Sequence, residues 1–268
     1  MGGRVLAARV DRAVHPHTAT FRFYAELGDF LPVARRQRAF DHAFSGTPSV
    51  KDSIEALGVP HVEVDLVVVD GRSVGFEHLL RGGERVAVYP VFEGIDIAPA
   101  LHLRPAPLRE TRFVLDGHLG KLARLLRLLG FDAVCDPSVD DAAIVRFALV
   151  ERRVILTRDR ALLKRGEVTH GLWIRSTEAE AQARQVLDRL DLRARAQPLS
   201  RCTTCNGEIE DVAKHAVAEE LPPHVRATRE RFRRCDRCGQ VYWEGTHFDR
   251  LRARVAQLLA DRPPERES

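Results

Sequence analysis

The chain has 268 residues, 44% of them hydrophobic and 30% charged, with a formal net charge of +4. That is enough apolar material for two or three cores, and no uninterrupted apolar stretch is long enough to span a bilayer. The Arg-rich balance and a pI near 9.0 favour an anionic partner. The opening "MGGRVLAARVDRAVHPH" is too polar for a signal-peptide core, so residues 1–17 are expected to be a flexible lead-in to a cytoplasmic protein.

The first segment, residues 18–106, reads as a small sheet domain. "TATFRFYAELG" alternates apolar and polar residues like a strand with one wet face, and "FDHAFSG" is its hairpin partner. "PSVKDSIEALG" predicts a short helix with Ser49 as N-cap, Asp52 in the capping-box position and Gly58 as stop. "HVEVDLVVVDG", closing on an Asp70–Gly71 turn, and "ERVAVYPVF" are two more strands. The order β-β-α-β-β suits a β-grasp, ubiquitin-like domain. A sulfur carrier of that fold needs a free C-terminal Gly-Gly. Gly82–Gly83 is internal and reads as a turn, so substrate docking or protein-partner binding is expected instead. The Pro-rich "APALHLRPAPLRE" is expected to be a linker.

The second segment, residues 107–197, alternates strands with helices. The strands are "RFVL", "DAVC", "RVILT" and "GLWIR"; a helix follows each of the first three, and Thr177-x-x-Glu180 is expected to cap a last helix to about Leu190. This pattern implies a parallel sheet covered on both faces, and ligands of such sheets sit beyond the carboxyl ends of the strands. Asp116 ends the first strand, Asp159 follows the third, and Asp140 and Asp141 open a helix between them. Three loops thus deliver carboxylates to one rim, where like charges need a cation. Hard oxygen donors suit Mg²⁺ or Mn²⁺, an ion able to activate water at a phosphate. Taken singly, each acid is equally a turn former or a helix cap. Lys121, Arg124 and Arg127 line the polar stripe of the first helix, as a solvated face or as phosphate contacts.

The third segment, residues 198–260, holds four of the five cysteines. Cys202-x-x-Cys205 and Cys235-x-x-Cys238, each followed by a turn former (Asn206, Gly239), predict two knuckles around a tetrahedral, structural Zn²⁺. A helical insertion is expected between them near "PPHVRATRERFRR". Cys135, left over, reads as a buried thiol. Tyr242 and Trp243 either pack the ribbon or, for Trp243 with His247, contact a nucleotide while nearby arginines hold phosphates. "DRPPERES", residues 261–268, is expected to be a disordered tail.

"FVLDGHLGKLARLLRLLGFD", "DDAAIVRFA" and "RVILTRDRALLKR" together resemble the Mut7-C RNase family, a branch of PIN-like nucleases. "SRCTTCNGEIE" and "CDRCGQVYWEGTHFDR" match that family's zinc ribbon, and "RFYAELGDFLP" with "VDLVVVDG" is similar to the ubiquitin-like domain often fused in front. The resemblance covers nearly the whole chain. It implies an α/β protein with an N-terminal β-grasp domain, a central PIN-like parallel-sheet domain and a C-terminal zinc ribbon. It also implies a metal-dependent ribonuclease in which Asp116, Asp141 and Asp159 bind Mg or Mn, with Asp140 the reserve catalytic acid. Cys202, Cys205, Cys235 and Cys238 then hold Zn. Read from the residues themselves, Lys121, Arg124, Arg158, Arg233, Arg234, Trp243 and His247 are the candidate RNA contacts, with tRNA or another structured RNA as the candidate ligand. Arg160 stands where many PIN nucleases carry a further acid, which thins the metal site. No membrane partner is expected. The competing reading is an RNA-binding module with weak or no catalytic activity. A receiver-like phosphoacceptor domain also places Asp at strand ends, but the acidic pair it needs after the first strand is absent.

Overall fold

The computed structural model describes residues 16–90, 103 and 111–260, without the side chain of His247. Nearly all of the expected lead-in and linker, and the whole tail, lie outside the described residues. The chain divides between Arg104 and Pro105 into two compact units.

In the first unit, β1 (His17–Phe23) pairs antiparallel with β2 (Phe40–Phe44) and parallel with β5 (Arg85–Pro90). β3 (Val64–Val69) joins β5 to a short edge strand, β4 (Arg72–Val74), giving the order β2-β1-β5-β3-β4. A central parallel pair flanked by hairpins is the β-grasp arrangement. Helix α1 (Val50–Ala56) starts where its sequence says it should: Ser49 Oγ accepts from the Asp52 N–H at 3.1 Å, and Asp52 Oδ2 accepts from the Ser49 N–H at 3.3 Å. It ends at Gly58, whose φ of 105° lets the Val59 N–H reach back to the Ile54 carbonyl. Phe21, Phe23, Ile54, Val67 and Val88 form the buried interior. The sequence reading missed β4. Asp70 and Gly71 both take positive φ, 47° and 82°, and this two-residue turn folds Arg72–Val74 straight back along β3.

The second unit carries the parallel sheet β7-β6-β8-β9, formed by β6 (Phe113–Leu115), β7 (Ala133–Cys135), β8 (Val154–Thr157) and β9 (Gly171–Trp173). Alternation along the strands turns Phe113, Leu115, Val154 and Leu156 into one core with α2 (Gly120–Leu128) and α5 (Ala179–Arg189). Val114 and Ile155 are buried on the other face, where α3 (Asp141–Glu151) packs through Ile144, Val145 and Ala148. The short helix α4 (Arg160–Leu163) follows β8. Helix α5 begins one residue later than expected: Glu178, not Thr177, is the N-cap residue, and no side chain caps it. The Gln182 side chain donates instead to the Ser176 carbonyl, and Ser176 Oγ accepts from the Glu178 N–H, which holds residues 176–178 out of the helix.

Antiparallel strands β10 (Ile209–Val212), β11 (Phe232–Cys235) and β12 (Val241–Trp243) make the ribbon. Between β10 and β11 the expected helical insertion is present as α6 (Lys214–Val217) and α7 (Pro223–Thr228). The last helix, α8 (Thr246–Leu259), returns to the α/β core, burying Val255 and Leu258 beside α5. Among the described residues no helix is long and apolar enough to cross a membrane.

Candidate active site and metal centre

The cysteine knuckles are built by local backbone geometry. Asn206 (φ 69°) and Gly239 (φ 74°) take the left-handed conformation that turns the chain after each C-x-x-C. The Cys205 N–H then points at Cys202 Sγ at 3.5 Å, and the Tyr242 hydroxyl donates to the same sulfur at 3.1 Å. Burial alone would raise the Cys202 thiol; Tyr242 and the Cys205 and Thr204 N–H groups instead bring it down to about 6. Cys202 and Cys238 sulfurs are 3.7 Å apart and those of Cys205 and Cys235 3.3 Å. A tetrahedron of thiolates bound at ~2.3 Å has edges of ~3.8 Å, so the four fit zinc closely. Among the described residues, these cysteines are the only group of three or more His, Cys, Asp or Glu whose ligand atoms all lie within 4.8 Å of one another.

The knuckle is bolted to the sheet. Asn206 Oδ1 accepts from the Ala133 N–H at 3.0 Å, and its amide donates to Asp132 Oδ1 at 2.7 Å. Asp132 is gripped from the other side by both Nη atoms of buried Arg153, at 2.7 and 3.1 Å. Arg127, expected on the solvated stripe of α2, is only 8% exposed. Its Nε donates to the Ala133 carbonyl and its Nη1 to the Thr203 and Thr204 carbonyls, at 2.8, 3.2 and 2.9 Å. Five donors in a fork let one guanidinium satisfy a strand edge and a knuckle at once, which is why this helix position is turned inward. Lys121 and Arg124 do stay exposed on α2.

The carboxylates gather at the carboxyl rim of the sheet without forming so tight a group. Half-buried Asp116 follows β6; its Oδ1 accepts from the His118 N–H at 3.2 Å and its Oδ2 from the Thr157 hydroxyl at 3.1 Å. The same Thr157 oxygen accepts from the Asp159 N–H at 2.9 Å, linking the loops after β6 and β8. Asp159 caps α4 through the Ala161 N–H, and Asp140 caps α3 through the Ala143 N–H, each at 2.7 Å. Asp141 is the exposed first residue of α3. A Cβ on Gly117 would lie 2.6 Å from the Pro137 backbone, so this glycine permits the loop of Asp116 to touch the loop that leads to Asp140 and Asp141.

Sequence reasoning passed over three neighbours of these acids. Asp136 follows β7 as Asp116 follows β6, level with it across the sheet, and Ser138 holds its carboxyl below the ordinary value through a hydroxyl and an N–H bond. The rule that singled out Asp116, an acid closing an apolar run, applies equally to "DAVCD". Thr157, fully buried at 0% exposure, had no signal of its own because its role exists only across strands. Trp173 ends β9 with the Arg160 guanidinium 4.1 Å from its ring centroid. Cys135 sits beside the rim with its Sγ 3.5 Å from the Asp116 carbonyl, and burial pushes its thiol up, in keeping with an inert group.

The expected RNA contacts are scattered. Arg158 is exposed beside Asp159. Arg233 and Arg234 are engaged in surface ion pairs with Asp211 and Glu220 at 2.9 and 3.2 Å. Trp243 is half-buried against the ribbon core and lines a surface cavity of about 470 Å³ with Arg231, Arg233 and Phe248. The His247 side chain lies outside the described residues.

The Mut7-C RNAse domain matches residues 111–255, more than half of the chain, and spans the parallel sheet, the three acidic loops and all four cysteines of the knuckles. The chain belongs to the Mut7-C RNase family. The Mut7-C ubiquitin domain matches residues 16–96, the segment that forms the β-grasp sheet. No curated protein and no solved structure matches the chain. A Mut7-C RNase domain carries a nuclease-like, RNA-related function, and a ubiquitin-like domain allows interaction with another protein.

Proposed function

We propose that this Mut7-C protein is a metal-dependent ribonuclease of the cytoplasm that hydrolyses phosphodiester bonds in structured RNA such as tRNA. The observation that carries it is the hydrogen-bonded chain Asp116–Thr157–Asp159 at the carboxyl rim. Asp116, Asp159 and Asp141, with Asp140 in reserve, would hold Mg²⁺ or Mn²⁺. Such an ion supplies Lewis-acid activation of water and neutralises charge at the phosphate. Thr157 fixes the Asp116 carboxylate and the Asp159 backbone, so two loops from separate strands keep one spacing. Lys121, Arg124 and Arg158 offer cationic contacts beside the rim, and the ribbon adds Arg233, Arg234, Trp243 and His247 for RNA affinity. The zinc-loaded knuckles brace β7, the strand next to Asp116.

A second reading, an RNA-binding module with weak or no catalysis, draws on another observation. Asp116, Asp140 and Asp159 each spend an oxygen on a helix or turn N-terminus, and Arg160 adds positive charge where the acids gather. Labelled RNA incubated with the protein, with and without Mg²⁺ or Mn²⁺, decides between them. Cleavage that needs the ion and is lost in Asp116→Asn supports the nuclease; tight binding of uncleaved RNA under every metal condition supports the binding module.

A further inference from the structure

A cavity of about 470 Å³ opens at one end of the ribbon, where Val212 closes β10, Phe232 opens β11 and Trp243 closes β12. Its size falls within the range of small-ligand pockets. Trp243, Tyr242 and Phe248 give it an aromatic lining. Trp243 is half-buried, so part of its ring stays accessible. Tyr242 commits its hydroxyl to Cys202 Sγ and is left with its ring.

The charged lining sorts into engaged and unengaged groups. Asp211 accepts from Arg233 Nε at 2.9 Å, and Glu230 accepts from Lys214 Nζ at 2.7 Å. Arg231 and Glu244 stand one residue beyond the last pair of the β11–β12 register, Phe232 with Trp243. Both are exposed, and among the described residues the side chain of neither has a hydrogen-bond or ion-pair partner. One unengaged carboxylate and one unengaged guanidinium therefore border the same aromatic cavity.

Such a lining favours a planar aromatic ligand, and in RNA that is an unstacked nucleobase. The polar pair narrows the choice, because a carboxylate only accepts and a guanidinium only donates. Guanine carries two adjacent donors, N1–H and the N2 amino group, and, on another edge, the acceptors O6 and N7. Adenine and cytosine place a ring-nitrogen acceptor beside their single amino group, and uracil flanks its one donor with two acceptors. Guanine alone gives a carboxylate two parallel bonds without setting a lone pair against it.

We infer that this cavity takes one unpaired guanine of the bound RNA, with its face on Trp243, its donor edge on Glu244 and its acceptor edge toward Arg231. The inference rests on RNA binding, which both readings of the function share, and not on cleavage. It makes Glu244 the residue that sets base preference and Trp243 the one that supplies affinity.

The test uses the full-length Asp116→Asn protein, so that RNA stays intact, and oligouridine strands carrying one central guanine, inosine, adenine or cytosine at a fixed salt concentration. The guanine strand should bind about tenfold tighter than the adenine or cytosine strand, the discrimination of one bidentate pair. Inosine, which lacks the N2 amino group, should fall between them. Adding Glu244→Gln should erase the advantage of guanine over inosine, and adding Arg231→Ala should weaken the guanine strand while leaving that advantage in place. Trp243→Ala should lower affinity for every strand about tenfold, with thermal melting showing that each variant is folded. Equal affinity for all four bases, or a guanine preference that survives Glu244→Gln, overturns the inference. Affinity unchanged by Trp243→Ala also overturns it and assigns the cavity to another ligand. If no strand binds at all, the RNA reading falls and this inference with it, whereas binding without base preference overturns the inference alone.

Discussion

The four cysteines stand with sulfur–sulfur distances of 3.3 and 3.7 Å across their two knuckles, whereas Asp116, Asp140 and Asp159 at the rim accept from N–H groups of their own loops. Each half of the first cluster is a backbone turn of a few residues, and the pairing of β10 with β11 brings the two halves together. The second cluster draws its members from three loops, and Asp116, Asp140 and Asp159 each have a local bond that a metal ion would have to share.

Removing the zinc should have the largest effect. Protein purified without added metal should carry about one Zn per chain. Because metal binding and folding are linked, chelation or Cys235→Ser should lower the melting temperature by at least ~10 °C. A metal-free ribbon with unchanged melting and protected amides would remove one half of the comparison. Next comes the lock between knuckle and sheet. Arg153→Ala strands Asp132, a residue whose side chain is 16% exposed, and breaking a buried pair in this way should cost ~3–5 kcal/mol in denaturant unfolding. A loss below ~1 kcal/mol would make it an ordinary surface pair.

The rim should behave in the opposite way. Asn caps helices about as well as Asp, so Asp116→Asn and Asp159→Asn should shift stability by less than ~0.5 kcal/mol by the same rule. RNA cleavage should nevertheless fall at least ~100-fold, the scale of several kcal/mol of charge stabilisation. If stability collapses together with activity, the acids are structural caps first. The smallest expected effect is on acid stability. Burial alone would raise the Asp132 carboxyl, but hydrogen bonds from Arg153 and Asn206 outweigh it and hold the group below its ordinary value of 3.8. A folded value below the unfolded one stabilises the protein above pH 3.8, and that contribution disappears as pH falls through the folded value. Asp132→Asn should therefore flatten the melting temperature against pH in that acid range.

What could be read from the sequence tracks how local the determinant is. The Ser49–Asp52 capping box, the Asp70–Gly71 turn, both knuckles and the four parallel strands each rest on residues within one short window. Arg127 was misplaced because periodicity assigns a charged residue to the wet stripe, and only tertiary structure supplies the three carbonyls that draw it inward. Asn206 shows both kinds of determinant. Its left-handed turn is visible beside Cys205, but its side-chain bonds to Ala133 and Asp132 cross more than 70 residues. Asp116 and Asp159 were legible as strand-end acids; the Thr157 hydroxyl that joins them was not, because the link belongs to the sheet and not to the motif.

The central claim is that the cysteine centre holds a structural zinc and the acidic rim an exchangeable Mg²⁺ or Mn²⁺. The most direct measurement follows cleavage of end-labelled RNA by zinc-loaded protein, stripped of other metals and then titrated with Mg²⁺ or Mn²⁺, for wild type and Asp116→Asn side by side. The account predicts no cleavage before titration, saturable cleavage by the wild type, at least ~100-fold less by the variant, and equal zinc content throughout. Cleavage by the wild type without added ion, or equal cleavage by both proteins, would contradict it.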